Sequence, residues 1–294
     1  MNDIYRIDKA RVRASFDRAA DSYDAAAILQ KEVHERMLSR LDLVKIAPQA
    51  ILDAGCGTGV ASRALARRFA ASQVISLDLA MGMLKRTLAG QGGFDQFKRF
   101  LGMSKQSGVC ADIESLPLAA DSVGLVWSNL AVQWCNDLDQ VFGEAHRVLQ
   151  PEGLLMFSSF GPDTLKELRQ AASVDPDYVH VSRFIDMHDI GDALVRAGFT
   201  APVLDVEHFV LTYDDVIGVM RDLKAIGAHN ATEGRRRGLL GKGFLQKLTQ
   251  GYERFRQDGK LPATFEVVYG HAWKPQPKFQ SEDGSVPITL HRRR

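Results

Sequence analysis

The stretch "ILDAGCGTGVASRALARRF", beginning at Ile51, constrains the fold of this 294-residue chain more than any other. "AILD" is short and apolar, the pattern of a strand buried in a parallel sheet, and "VASRALARRF" puts Val60, Ala64 and Leu65 on one helical face. Between them Gly55, Gly57 and Gly59 let the backbone turn sharply and let a ligand approach without obstruction by a Cβ. The helix that follows offers unpaired N–H groups at its start. The segment reads as strand, tight turn and helix, with a ligand over the turn.

The alternation continues downstream. "SQVISLD" is a second strand ending at Asp78, "AMGMLKRTLA" a helix, "GVCADI" and "VGLVWSN" further strands, "LDQVFGEAHRVLQ" a helix stopped by Pro151, and "GLLMFSSF" a fifth strand. Strand and helix at this spacing predict an α/β fold with a mostly parallel sheet covered on both faces. "APVLDVEHFVLTY" and "ATFEVVYGHAWKP" are longer β-like runs with no crossover unit between them, which predicts an antiparallel edge strand. Residues 9–43 are Ala-rich without Pro or Gly and read as a helical cap, with helical insertions at 163–198 and 213–258. These belong to a single domain over residues 1–275, followed by a loosely ordered tail, 276–294; the Gly-rich, basic stretch 90–106 reads as a long loop with a short helix.

A hydrophobic content of 45% lets a chain of this length bury a large core, and a net charge of +1 exerts no global pull toward nucleic acid or membrane. The charged opening "MNDIYRIDKARVRASF" has no apolar run of leader or spanning length, and the cysteines (Cys56, Cys110, Cys135) form no CxxC pair. The expectation is a reduced, cytoplasmic protein with no metal.

A glycine turn of this kind serves NAD, FAD, nucleotide phosphates or S-adenosylmethionine. In the G-x-G-x-x-G register, Val60 or Ser62 falls where the third glycine belongs, and no P-loop is present. What stands here is D-x-G-x-G-x-G, with Asp53 at the strand end. Asp78, ending the second strand, can accept both hydroxyls of a ribose. Asp112 and Ile113, ending the third, can take the exocyclic amine of a purine and cover its ring. Acids at consecutive strand ends, with no basic residue among the glycines, describe a cationic nucleoside without phosphate; solvated loop acids are the alternative. Asn129 is followed by Leu-Ala rather than Pro-Pro-Tyr, which disfavours methylation of base amines, and Trp127 and Trp134 read as core or pocket wall.

This pattern resembles the class I S-adenosylmethionine-dependent methyltransferases, which implies a Rossmann-like, seven-stranded sheet. "SFDRAADSYDAAAILQ", "DIESLPL", "WSNLAVQWCNDL", "RVLQPEGLLMFSSFGPDTLKEL", "RFIDMHDI" and "MRDLKAIGAHN" narrow the resemblance to the malonyl-[acyl-carrier protein] O-methyltransferases of biotin synthesis. That family esterifies the free carboxylate of malonyl-acyl carrier protein so that fatty-acid enzymes can elongate it. "FGPDTLKEL" also resembles relatives that hydroxylate an arginine of a respiratory-complex subunit, and a non-catalytic donor-binding assembly factor is a further alternative. The resemblance implies a donor site that adds Leu79, Met83 and Asn129 to Asp53, Gly55, Gly57, Gly59, Asp78, Asp112 and Ile113.

An ionised carboxylate needs alignment and dehydration rather than a general base, so the expected catalytic groups hold it in place. Arg183 in "VSRFIDMHD" is a fork for the carboxylate, or a surface arginine pairing with Asp186. Tyr23 is a phenol closing over the donor, or a core tyrosine; Gln30 shares its helical face. Residues 221–260 hold ten Lys/Arg against four Asp/Glu, a surface suited to an acidic carrier protein. Nucleic acid or a solvated helix face are the other readings of that segment.

Overall fold

The computed structural model describes residues 4–89, 105–175, 177–236, 238 and 241–277. Most of the 90–106 stretch and all of the tail beyond Pro277 lie outside the described residues.

The glycine segment forms strand β1 (Ala50–Ala54) and helix α4 (Val60–Arg68). β1 pairs in parallel with β2 (Gln73–Asp78) on one side and β4 (Val123–Ser128) on the other. β3 (Gln106–Cys110) extends the sheet beyond β2, and β5 (Leu149–Phe160) beyond β4, both in parallel. Helices α5 (Met81–Ala89) and α6 (Leu138–Val148) follow β2 and precede β5. β7 (Leu261–Trp273) runs antiparallel to both β5 and the outermost strand, β6 (Thr200–Tyr213), giving the order β3-β2-β1-β4-β5-β7-β6.

Strand periodicity sorts the core into two layers. Ile51, Leu125 and Trp127 pack on one face with Leu65, while Leu52 and Val126 pack on the other with Phe142 and Val148. Buried on both faces, the central strands read as continuous apolar runs.

The cap is interrupted where an unbroken helix is expected: α1 (Lys9–Ala19), α2 (Tyr23–Ala26) and α3 (Ile28–Leu41) are separated by short breaks. The Ser22 hydroxyl donates back to the Ala19 carbonyl, and Ala27 leaves helical geometry at ψ 49°. Tertiary contacts override helix propensity here. Thr58 donates to Asp24 (2.5 Å), the Gly82 N–H donates to Asp17 (2.6 Å), and Arg86 pairs with Asp21, so the cap is pinned over the β1 and β2 turns.

The insertions hold α7 (Lys166–Ala172) and α8 (Met187–Arg196) after β5, and α9 (Val216–Ala225) and α10 (Lys242–Glu253) between β6 and β7. Gly227, at φ +71°, ends α9 by turning the chain onto α1. No described helix is long and apolar enough to cross a membrane.

Candidate active site

The C-terminal ends of the parallel strands open into a cavity of ≈ 310 Å³ roofed by the cap and the insertions. The glycine turn forms its floor. Gly55 and Gly59 both sit at φ +82°, and a Cβ on Gly55 would lie 2.3 Å from the Ala131 methyl. A Cβ on Gly57, at φ +54°, would meet nothing within 4 Å: this backbone faces the open cavity, where a ligand can approach it closely.

Asp78 stands beside that opening, 9% exposed. Its Oδ2 accepts the Gly57 N–H (2.9 Å) and its Oδ1 the Ala80 N–H (2.8 Å), which leaves further lone pairs for a bound diol. Burial pushes its carboxyl up to about 6, against the pull of those two N–H groups. Asp53 is placed differently. It lies beneath the turn, 1% exposed, where the Ser62 hydroxyl bonds its Oδ2 (2.5 Å) and meets Ser76 (2.7 Å). Burial raises it to about 7, Ser62 opposing and the nearby Asp78 adding. Neither Asp53 nor Gly59 lines the cavity; they brace the turn that does.

Asp112 and Ile113 line the cavity beyond β3. The Asp112 Oδ1 takes the Lys9 ammonium (3.0 Å) and the Glu114 N–H (3.1 Å), and Lys9 also reaches Glu114 (2.8 Å). Among the described residues no hydrogen bond reaches the other Asp112 oxygen. Leu79 and Met83 supply apolar wall on the β2 side.

Asn129 also lines the cavity, yet both ends of its amide are engaged. Its Nδ2 donates to the Gln30 carbonyl (3.0 Å) and its Oδ1 accepts from Ser158 (2.9 Å), fastening α3 to the ends of β4 and β5. Gln30 itself is on the wall, and so is Tyr23, half-buried on α2. Burial raises the Tyr23 phenol well above its ordinary value, and Asp78 and Asp24 reinforce this, so it stays protonated.

Arg183 is exposed and lines an adjoining cavity, not the central one; Asp186 accepts from the His188 N–H and ring rather than from Arg183. Trp127 is wholly buried and Trp134 is cavity wall, edge-on to Phe16 at 5.3 Å.

Several wall residues carried no assignment from the sequence. The stretch "MRDLKAIGAHN" contributes Met220, Leu223, His229 and Asn230, so its family specificity marked a wall without revealing which side chains face inward. Gln133 donates to the Leu130 carbonyl (2.7 Å) while its Oε1 is buried without a partner, an acceptor open to a ligand N–H. Among the described residues no group of His, Cys, Asp or Glu gathers to hold a metal, and all three cysteines are free thiols.

A family model described as a methyltransferase domain matches residues 52–157, the segment from β1 through most of β5. The malonyl-[acyl-carrier protein] O-methyltransferase of Methylovorus sp. (strain MP688) is 70% identical over 99% of this chain and 97% of its own length. This chain belongs to that family. It is a class I S-adenosylmethionine-dependent methyltransferase. The Gallionella capsiferriformans malonyl-[acyl-carrier protein] O-methyltransferase is 56% identical over 97% of both chains. The fold recurs in the BH2331 protein of Bacillus halodurans C-125, at a TM-score of 0.58 and 19% identity, covering 83% of this methyltransferase and 99% of that chain.

Proposed function

We propose that this methyltransferase transfers the methyl group of S-adenosylmethionine to the free carboxylate of malonyl-[acyl-carrier protein]. The product is the methyl ester that primes pimeloyl synthesis in biotin biosynthesis, with S-adenosylhomocysteine released. The observation that carries the reading is a single cavity with two kinds of wall. One end is polar and acidic (Gly57, Asp78, Asp112), and the other is an apolar chamber under the insertions (Phe160, Leu168, Phe244).

The acidic end fits the donor. Gly57 leaves open space against its backbone, Asp78 has acceptor capacity for ribose hydroxyls, and Asp112 keeps an oxygen for the adenine amine beside Ile113. Bound there, the donor supplies an electrophilic methyl on a sulfonium, whose departure leaves a neutral thioether. The acceptor carboxylate is already ionised at neutral pH, so its oxygen forms the new C–O bond as the C–S bond breaks, with no proton to remove. The protein's task is to align the reactants and exclude water. Tyr23, kept protonated, donates to the carboxylate oxygen that is not attacking. Arg183 can act on the acceptor only from the adjoining cavity. The chemistry calls for no metal, and the free thiols suit a cytoplasmic protein.

Labelled donor with malonyl-carrier protein, malonyl-coenzyme A, free malonate and acetyl-carrier protein tests the reading. Malonyl-carrier protein should label best, as a base-labile ester. Acetyl-carrier protein should stay unlabelled, because it lacks the carboxylate. Free malonate should be poor, because it lacks the binding energy of the arm and carrier. No ester on any malonyl thioester would overturn the assignment.

A further inference from the structure

Arg11, Ser15 and Arg18 share one face of α1, and the turn at Gly227 packs against it. A Cβ on Gly227 would lie 3.1 Å from the Ala19 methyl and 3.3 Å from the Ser15 carbonyl. That packing brings Lys224, in the last turn of α9, and His229 alongside Arg11 and Arg18. Lys224 and His229 both line the central cavity, and Arg11 and Arg18 stand near His229 from α1, behind that wall.

Among the described residues Arg11, Arg18 and Lys224 join no ion pair; the Arg18 guanidinium donates only to the Ser15 hydroxyl, at 3.3 Å. The neighbouring carboxylates are committed elsewhere. Asp8 caps α1 and faces Arg235, Asp17 takes the Gly82 N–H, Asp21 pairs with Arg86, and Asp222 bonds Tyr213. His229 adds no compensating charge: burial first, then Arg11, Arg18 and Lys224, hold its imidazole below its ordinary value. The adjoining cavity is different, since Arg6, Arg169 and Arg183 there stand among Asp175, Asp177, Asp186 and Asp189.

We propose that Arg11, Arg18 and Lys224 hold the phosphate of a carrier-borne phosphopantetheine arm at the mouth of the central cavity. The proposal rests on the reading that the acceptor is a malonyl thioester. Such an arm is uncharged along its length except at the phosphate. Its neutral part can enter a largely apolar cavity, while its fixed charge must remain where cations meet water. Several cations of the basic segment 221–260 are already paired. Arg256 and Lys260 pair with Glu253 and Asp214, Arg236 pairs with Asp175, and Lys224 is joined by two arginines from α1.

Calorimetric titration of the protein saturated with S-adenosylhomocysteine, using phosphopantetheine and pantetheine as probes, tests this without turnover. Wild type should bind phosphopantetheine about tenfold or more tighter than pantetheine. The triple variant Arg11→Ala, Arg18→Ala, Lys224→Ala should bind the two alike while keeping its donor affinity, which reports an intact fold. Its KM should rise for malonyl-carrier protein and malonyl-coenzyme A together, with kcat little changed. Equal or undetectable binding of the probes by wild type, or a preference that survives in the variant, would overturn the proposal. A KM effect confined to the carrier-linked substrate would also overturn it, placing the cations on the carrier's surface. Phosphate-selective binding without ester formation would leave this site standing and remove the proposed reaction.

Discussion

Asp53 and Asp78 show how alike two acids can look in sequence and how differently they work. Both end strands next to the glycine turn, but Asp78 opens to the cavity while Asp53 is sealed under Ser62. Their raised carboxyls, about 7 for Asp53 and about 6 for Asp78, carry a definite sign. The folded state holds protons that the unfolded chain, near 3.8, has released. Stability of the donor-free protein is therefore full below about pH 4 with respect to these groups, and falls as pH rises through 6 to 7, by a few kcal/mol. A cationic donor favours the ionised carboxylates, so its stabilising effect should grow across the same window. Asp78→Asn should flatten the decline and weaken donor binding by about 1–3 kcal/mol, as a paired acceptor for the ribose is lost. Melting curves from pH 5 to 8 with and without donor, together with calorimetry, check both; unchanged donor affinity would remove Asp78 from the site.

At the scale of elements, β7 decides the shape of the sheet. Inserted between β5 and β6, it must pass the Phe157 ring, and it does so at Gly270, directly opposite Phe157 in the register. A Cβ there would lie 2.4 Å from the Phe157 ring and 2.8 Å from Leu204. Gly270→Val should cost about 1–3 kcal/mol or more, because a close-packed core has no room to give. Thermal denaturation measures it, and an unshifted Tm would show that Phe157 can move aside. The sequence marks "ATFEVVYGHAWKP" as a strand, but nothing local in that run accounts for Gly270. Its purpose depends on a ring more than a hundred residues away.

Across the whole molecule, the cap joins the methyltransferase sheet to the last insertion. The Asp8 N–H donates to Ala231 (2.8 Å), Glu233 to Arg6 (2.8 Å) and Gly234 to Ile4 (2.8 Å), while Asn136 exchanges two hydrogen bonds with Ile7. Lys9 completes the tie at Asp112. Residues 4–7 of this ribbon line the adjoining cavity, while Lys9 at its end lines the central one, so the ribbon anchors part of the wall against which a donor would rest. Deleting residues 1–8 should leave the core folded and shorten donor residence time. Stopped-flow displacement reads that directly, and an unchanged off-rate would mean that the donor exits past another wall.

Fold class, the strand-turn-helix and the cavity-lining acids Asp78 and Asp112 were legible in the sequence because each rests on local rules: strand and helix periodicity, and glycine where backbone must come close. Tyr23, Gln30 and the family-specific stretches were legible as candidates. Which of them share a cavity was not, since that depends on how α1, α2 and the Gly227 turn pack. Arg183 illustrates the limit: its residue type suits a carboxylate, but the path of the chain after β5 puts it on a different wall. Of the cations of 221–260, which form one run in the sequence, Arg236, Arg256 and Lys260 are held in separate ion pairs, while Lys224 lies near Arg11 and Arg18 from more than two hundred residues away. Local pattern determined what this chain can fold into and what its turn can bind. Only the tertiary structure decided which charges converge, because charge acts over distances in space that sequence separation does not measure.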